Sequence, residues 1–597
     1  MARRNIAILY ALWVFICVVP LLGWTLITAG NGEQALSIVQ PAKDAEVAEP
    51  GFYIFGASNP TEKLYMDGVA LTNRTDEGFF SVFVELSIGA NVFVFSQAGQ
   101  RDIAVTIHRT EPPAWPEHLI MREAGLVSVF PVQAEYVSVG DVVVFEAIAP
   151  VGAAVTVNFR GETLVLSPDH IAANPDREMI LATRFSVQYT VSGDVDSDSI
   201  ADLGRPVYDM EFVGQQFSAV GAPIRLIGKE APFYATVAVE TAWTFASPST
   251  SGGSDWNLLA GQKGAVRAIS GNGEWIRLDS GVWVEGSKVS LGTEDGLIID
   301  VLTEGRVTRD GINHKVTWRA LHYPVIRAVF DGAVLRVYFA LQSEAPAIGL
   351  SYIDKDEVFF KDVTSGFYSG TPYLEFIVRD EVNLEGFYVS FGEGEFSLNV
   401  RTRRALSPGD LPLDGFVFVI DAGHGGADYG ALGPMGKEMA EKHINLINAR
   451  NIAYRLERLG ASAILTRSSD VFFTLQERTE ISRRSKPDMF ISMHADSTIE
   501  TKDAANIRGI SFWYKNPNSR PLAEHFINKL HGINPRTTRH RQPNQANFFV
   551  CRPVWAPSVI VEASFMNNIN DFAWMMNPEN QSVLADGIVN AILSYYS

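Results

Sequence analysis

Between about residue 36 and residue 403 the apolar positions fall in short runs rich in Val, Ile, Phe and Tyr, broken by Gly, Asn, Asp and Pro. Phe52–Phe55, Phe79–Val84 and Asn91–Phe95 are examples, followed further on by Val142–Phe145, Ala154–Val157 and Gly281–Val284. Runs of that length and composition between turn residues predict strands, and their spacing predicts all-β sandwiches or barrels. After Gly415 the pattern changes. Apolar strands at Phe416–Ile420, Ala463–Thr466, Met489–His494, Ile510–Tyr514 and Ser558–Glu562 now alternate with helical stretches near Glu441–Leu459, Leu475–Ser482, Pro521–Leu530 and Gln581–Tyr596. Alternation of this kind predicts βαβ units: a three-layer α/β domain around a largely parallel sheet covered on both faces.

With 597 residues, the chain is long enough for several domains of roughly 100–200 residues each. Its net charge of −19 argues against nucleic acid as a partner, and against anionic lipid as one for the bulk of the molecule. Arg3 and Arg4 precede an apolar stretch from Ile6 to Ile27. This reads as a signal peptide or N-terminal membrane anchor within residues 1–30, with Thr28-Ala29-Gly30 as a candidate cleavage site. The expected location is therefore the periplasmic or extracellular side of a membrane, secreted or anchored with the N-terminal segment as the single membrane contact; the resemblance given below makes this the bacterial cell envelope. Of the two cysteines, Cys17 lies in that apolar stretch and Cys551 far from it, so no disulfide framework forms.

Three strands in the C-terminal region end on polar residues. Phe416–Ile420 runs into Asp421-Ala422-Gly423-His424-Gly425-Gly426, Met489–Met493 into His494-Ala495-Asp496, and Ser558–Val561 into Glu562. Carboxyl ends of parallel strands share one edge of an open sheet, where ligand sites form. His424 and His494 would converge there with a carboxylate, a donor set typical of catalytic zinc, and a second carboxylate could serve as general base. Glu441, opening the following helix, is the natural third ligand. Glu438 lies one turn earlier, and spacing alone does not choose between them.

The blocks Asp-x-Gly-His-Gly-Gly, Glu441-Lys442-x-x-Asn445-Leu446, Thr466-Arg467-x-x-Asp470, Leu475-x-x-Arg478, Ile491–Asp496 and Val561–Phe565 come in that order. Together they resemble the zinc-dependent N-acetylmuramoyl-L-alanine amidases over about the last 180 residues. The resemblance implies one zinc ion held by His424, Glu441 and His494, with Glu562 as the catalytic glutamate, and so favours Glu441 over Glu438. It implies hydrolysis of the amide between the lactyl group of N-acetylmuramic acid and L-alanine of the peptidoglycan stem peptide, in wall remodelling or daughter-cell separation. Met493 and Ala563-Ser564 depart from the commoner family residues without touching a ligand or the base. Asp421 and Asp496 are candidates for orienting a ligand histidine; Arg552 and Trp555, with Trp513, Tyr514 and Phe549, are candidates for lining the substrate groove. Some members of the family carry an inserted blocking helix before the catalytic glutamate. The interval from Asp496 to Val561 has no room for one, so an open site is expected.

The N-terminal modules carry weaker resemblances. Residues 36–110 resemble an immunoglobulin-like β domain and 117–230 form a further β-rich domain. Residues 231–291 resemble a small barrel of the Src-homology-three type, and 292–403 end like an AMIN-type domain. Residues 404–414 read as a linker and 415–597 as the catalytic domain. Peptidoglycan is the expected partner, with envelope or division proteins as partners of the β modules. The rival readings are a catalytically inactive wall-binding or division scaffold and a zinc peptidase that cuts within the stem peptide.

Overall fold

The structure, a computed structural model, describes residues 35–110, 120–169 without 122, 180–228 without 194–195 and 197–198, 233–250, 253–270, 273–293, 305–319, 323–339, 359–368, 371–392, 394–534 and 542–597. The apolar N-terminal segment and residues 111–116, between the first two expected domains, lie outside these residues. Among those described, no helix is long and apolar enough to cross a membrane.

As the runs of Val, Ile and Phe predict, the regular elements among the described residues before 404 are strands, apart from the 3-10 turn Gly286–Lys288. Residues 37–109 form a three-stranded and a five-stranded sheet whose inner faces meet over Phe52, Ile54, Phe80, Phe95 and Ile107. A second core gathers Phe145, Phe159, Phe185 and Tyr208, and a third Leu258, Val266, Ile276 and Val284. These two regions are not separated at the backbone. Glu135–Val137 pairs with Ile224–Ile227 on one side and with Lys263–Ser270 on the other, inside one ten-stranded sheet. Two four-stranded sheets then enclose Trp318, Phe339, Phe376 and Leu398.

The C-terminal domain is a six-stranded sheet: β1 (Val417–Ala422), β2 (Ser462–Leu465), β3 (Met489–Asp496), β4 (Ser511–Tyr514), β5 (Asn544–Gln545) and β6 (Ser558–Phe565), in the order β2-β1-β3-β6-β4-β5. Its helices are α1 (Glu441–Arg458), α2 (Leu475–Ser485), α3 (Arg520–Leu530), α4 (Ile569–Met576) and α5 (Pro578–Tyr596). Strand β1 is apolar on both faces because helices cover both. A capping box between Thr474 and Glu477 starts α2, and Asn577 caps α5 ahead of Pro578. Four of its five strand pairings are parallel, as expected, but the sheet is mixed: β4 runs antiparallel to β6, with Ser511 opposite Glu562. The segment joining β3 to β4 holds only the 3-10 turn Ala504–Asn506, too little for a crossover helix.

The β modules pack on both edges of this sheet. At the edge where β1, β3 and β6 begin, Arg401 pairs with Asp488 at 2.5 Å, the Phe387 amide donates to the Val554 carbonyl, and Gly386 lies so close that a Cβ would meet the Trp555 carbonyl oxygen at 2.1 Å. Trp243 meets Phe549 edge-on at the same side, and Glu240 pairs with Arg483 and Arg484 at the end of α2. At the opposite edge the first sandwich docks. Phe79 stands edge-on to Phe572 of α4, and the Tyr53 amide donates to Glu500 in the segment that follows β3. Ala57 and Phe79 belong to the same apolar cluster as the core of the C-terminal domain.

Candidate metal centre

Strand β1 delivers Asp421 and Ala422, and the chain then turns sharply through Gly423, His424 and Gly425. His424 adopts a left-handed backbone, φ 59°. That conformation is costly for a residue with a Cβ, and two buried arginines hold it. Arg478 donates to the carbonyls of Ala422 and His424 at 2.6 and 2.7 Å, and Arg467 to those of Ala422 and Gly423 at 2.8 and 2.9 Å. Gly423 is required by packing as well: a Cβ there would sit 2.3 Å from the His494 ring.

Strand β3 ends on His494, and α1 opens on Glu441. Glu441 reaches both rings, with Oε2 3.1 Å from His424 Nε2 and Oε1 3.0 Å from His494 Nδ1. The carboxylate also accepts from the Ala431 and Ala495 amides and from Asn445 Nδ2, at 2.8, 3.1 and 3.0 Å. The three donor groups lie within 4.8 Å of one another. Gly430 has a positive φ of 65°, and a Cβ on it would meet Glu441 Oε2 at 2.4 Å, so the cradle depends on glycine there. Glu438 is exposed in a 3-10 turn and stands outside the cluster.

The electrostatics follow from this packing. Burial works against a charged Glu441, yet the two imidazoles outweigh it and hold the carboxyl well below the usual range. Burial likewise disfavours an imidazolium at His494, but the hydrogen bond and charge of Glu441 lift it to about 9; His424 is raised by Glu441 and Asp428 against the same opposition. Glu562 sits beside His494 in the β3–β6 register. Its Oε2 is buried without a hydrogen-bond partner, and burial pushes its carboxyl up to about 8, only partly offset by His494. Two imidazoles and a carboxylate suit a divalent metal such as zinc, and an unpartnered buried carboxylate oxygen alongside suits a group that handles a proton. The residues present therefore fit a metal site.

Of the residues expected around this centre, Asp421 is placed otherwise. It is fully buried and bound to Arg478, Ser492 and Thr466 at 2.7, 2.6 and 2.5 Å, not to a histidine. Arg478 outweighs its burial and keeps the carboxyl low. Asp496 accepts from the Ser497 amide at 2.7 Å. The carboxylate that does orient a ring is Asp428, 2.8 Å from His424 Nδ1. Four residues beyond His424 in a glycine-rich loop, it was open to the same reasoning that singled out its neighbours. Arg552 and Trp555 lie away from the centre. Trp555 precedes the first residue of β6, at the other edge of the sheet, buried among Trp243 and Phe245 with Nε1 3.1 Å from Ser482 Oγ. Arg552 is buried over the Phe549 ring at 4.6 Å, with its Nε donating to Asn547. Cys551 is buried, its thiol pushed up to about 12 by desolvation, as suits an inert apolar residue. In the described part of the interval between Asp496 and Val561, no residue enters the metal cluster.

Residues 418–594 match the N-acetylmuramoyl-L-alanine amidase family designated Amidase_3. The Bacillus subtilis (strain 168) protein YqiI is 35% identical over 185 residues, 31% of this chain and 87% of that protein. N-acetylmuramoyl-L-alanine amidase LytC of the same strain is 32% identical over 31% of this chain, which spans only 36% of LytC's length. Among solved structures, the catalytic domain of CwlV, an N-acetylmuramoyl-L-alanine amidase from Bacillus (Paenibacillus) polymyxa var. colistinus, is 30% identical, covering 30% of this chain and 97% of that one with a TM-score of 0.28. Through its C-terminal α/β domain, the chain belongs to the N-acetylmuramoyl-L-alanine amidase family of cell-wall enzymes.

Proposed function

We propose that this protein is an exported zinc hydrolase that cuts the amide between the lactyl group of N-acetylmuramic acid and L-alanine in peptidoglycan. The observation that carries the reading is the convergence of His424, Glu441 and His494 beside the unpartnered buried oxygen of Glu562. The three residues would hold the metal and leave a position facing Glu562. Bound there, zinc supplies Lewis-acid polarisation of the scissile carbonyl and makes water more acidic.

The chain's own residues carry the proton. Glu562, whose Oε2 is buried without a partner beside His494, would accept a proton from the attacking water and return it to the departing alanine nitrogen. Asp428 fixes the tautomer and angle of His424, while Arg467 and Arg478 preform the loop that carries it.

The β-rich remainder is read as an immunoglobulin-like sandwich (36–110), a further β domain (117–230), a Src-homology-three-like barrel (231–291) and an AMIN-like domain (292–403), followed by a linker (404–414). In this reading they place the enzyme on peptidoglycan or on envelope and division proteins, outside the cytoplasm, where it serves wall remodelling or the separation of daughter cells.

The test is digestion of purified peptidoglycan by the full chain, with and without a chelator, beside Glu562→Gln. Mass spectrometry should find stem peptides released with a free L-alanine amine. That product should vanish on chelation and fall at least 10²-fold in the variant, the range expected for loss of a general acid–base group. Shortened peptides would instead make the protein a peptidase, and zinc bound without any product would make it a scaffold.

A further inference from the structure

At the edge of the sheet opposite the metal centre, the barrel, the last β module and the catalytic domain enclose a cavity of about 380 Å³. A second cavity of about 430 Å³ adjoins it, the two sharing Ala328, Phe387 and Val554 as a common wall. Each is in the size range of small-ligand sites. On a chain with a net charge of −19, the first cavity is lined by Arg401, Arg404, Arg483 and Lys486 and by no carboxylate.

The neighbouring acids do not neutralise these cations. Arg401 and Arg404 share the single carboxylate of Asp488, at 2.5 and 3.4 Å, and the other oxygen of Asp488 already accepts from the Val417 amide. Arg404 Nε is buried without a hydrogen bond. Arg483 is balanced, since it and Arg484 divide Glu240 and Glu480 between them. Lys486 is exposed, and no carboxylate pairs with it among the described residues. Two positive charges are therefore left over, one at the Arg401–Arg404 pair and one at Lys486. Trp256 and Tyr388 supply apolar walls beside them, and the second cavity adds the side-chain amides of Asn516, Asn518, Gln545 and Asn547.

We propose that the paired cavities form a second binding site, for a short peptide bearing carboxylates, separate from the site of hydrolysis. The excess charge at Arg404 and Lys486 would meet the carboxylates, the aromatic walls the aliphatic parts, and the amide-rich cavity the peptide groups. That chemistry has two sources in the wall, the acidic stem peptide still joined to its sugar and the same peptide after release. The peptide's identity rests on the amidase reading, whereas the preference for an anion rests on the cavity alone.

The experiment is calorimetric titration of the full-length Glu562→Gln protein, which binds without turnover. One arm uses the free tripeptide L-alanyl-γ-D-glutamyl-meso-diaminopimelate, with three carboxylates and a net negative charge, the second its N-acetylmuramyl form, and the control tri-alanine, a zwitterion with one carboxylate. If the cavity takes the peptide, the free tripeptide binds with one site and the N-acetylmuramyl form with two. Adding Lys486→Gln, at an exposed position that leaves the fold intact, or Arg404→Gln should weaken the free peptide at least tenfold, the loss of one charged hydrogen bond. The N-acetylmuramyl form should then fall from two sites to one. Binding of the free tripeptide no tighter than tri-alanine, or an affinity unchanged by either substitution, overturns the proposal. Both results are read from binding, so they stand apart from whether peptidoglycan is digested.

Discussion

The two edges of the catalytic sheet use the same kinds of residue for different ends. Where β1, β3 and β6 finish, glycines, histidines and carboxylates face a gap, and charges beneath them are locked by buried arginines. Where the same strands start, tryptophans, arginines and backbone carbonyls are spent on joining modules, as at Trp243, Trp555 and Arg401. The finishing edge leaves Glu562 Oε2 without a partner and so keeps a group in reserve for chemistry. The starting edge leaves reserve only in the cavity that the joined modules enclose. A polar group buried without a partner is thus informative at either edge, because packing alone would have removed it.

Four measurements would break or sharpen this contrast. The largest effect is expected from Trp555→Ala at the starting edge. It empties a buried aromatic site, costing about 3–5 kcal/mol of stability, and leaves the metal affinity of the still-folded protein unchanged; denaturant unfolding beside zinc titration would separate the two, and weakened zinc binding would merge the edges into one functional unit. Next comes Asp428→Asn at the finishing edge. Loss of the His424 partner should reduce metal affinity about 10–100-fold while the melting temperature of the metal-free protein stays nearly constant.

Third is the response to pH. Without metal, His494 keeps its proton up to about 9, against 6.5 ordinarily, and Glu562 keeps its own up to about 8, against 4.5. The stability that His494 contributes is complete below about 6.5 and lost as pH rises through about 9. Glu562 adds a penalty in the same direction, because unfolded chains release its proton from about 4.5 upward. The Tm of chelator-treated protein should therefore fall by a few degrees between pH 6.5 and 9, at about 2–4 °C per kcal/mol for a domain of this size. Bound zinc displaces these protons and should remove the slope; a Tm flat across this range without metal would contradict the geometry at Glu441. Smallest is Glu240→Gln, which breaks partly exposed ion pairs to Arg483 and Arg484 and should cost about 1 kcal/mol or less. A larger loss would mean that the docking of the module around Trp243 depends on charge more than on that ring.

Much of the candidate site was legible because strand periodicity and chain order fix which residues reach one edge. His424, His494 and Glu562 come together as their strand-end positions require, whereas spacing left Glu441 level with Glu438 and only the family resemblance favoured it. What stayed hidden depends on distances across the fold. Asp421 and Asp428 flank His424 in sequence, and only the tertiary approach of Arg478 shows that the first is committed elsewhere. The aromatic ring of Trp555 suggests a groove residue, although its place before β6 assigns it to the starting edge. The direction of β4 was unreadable, since a run such as Ser511–Tyr514 is equally apolar in a parallel or antiparallel pair. In the β modules, alternation predicted strands but not the pairing of Glu135–Val137 with two distant partners, because registers between remote segments leave no mark in local pattern.

The docking of the first sandwich has a consequence for the order in which the molecule acquires its activity. Phe79 and Tyr53 meet Phe572 and Glu500, so contacts beside the metal loops close one of the longest spans of sequence in the chain. Contacts so remote in sequence form late, after the loop entropy of everything between has been overcome. A chain still being made has its first module folded and nothing for it to clasp, because the surface it docks on ends in α4, among the last residues to be added.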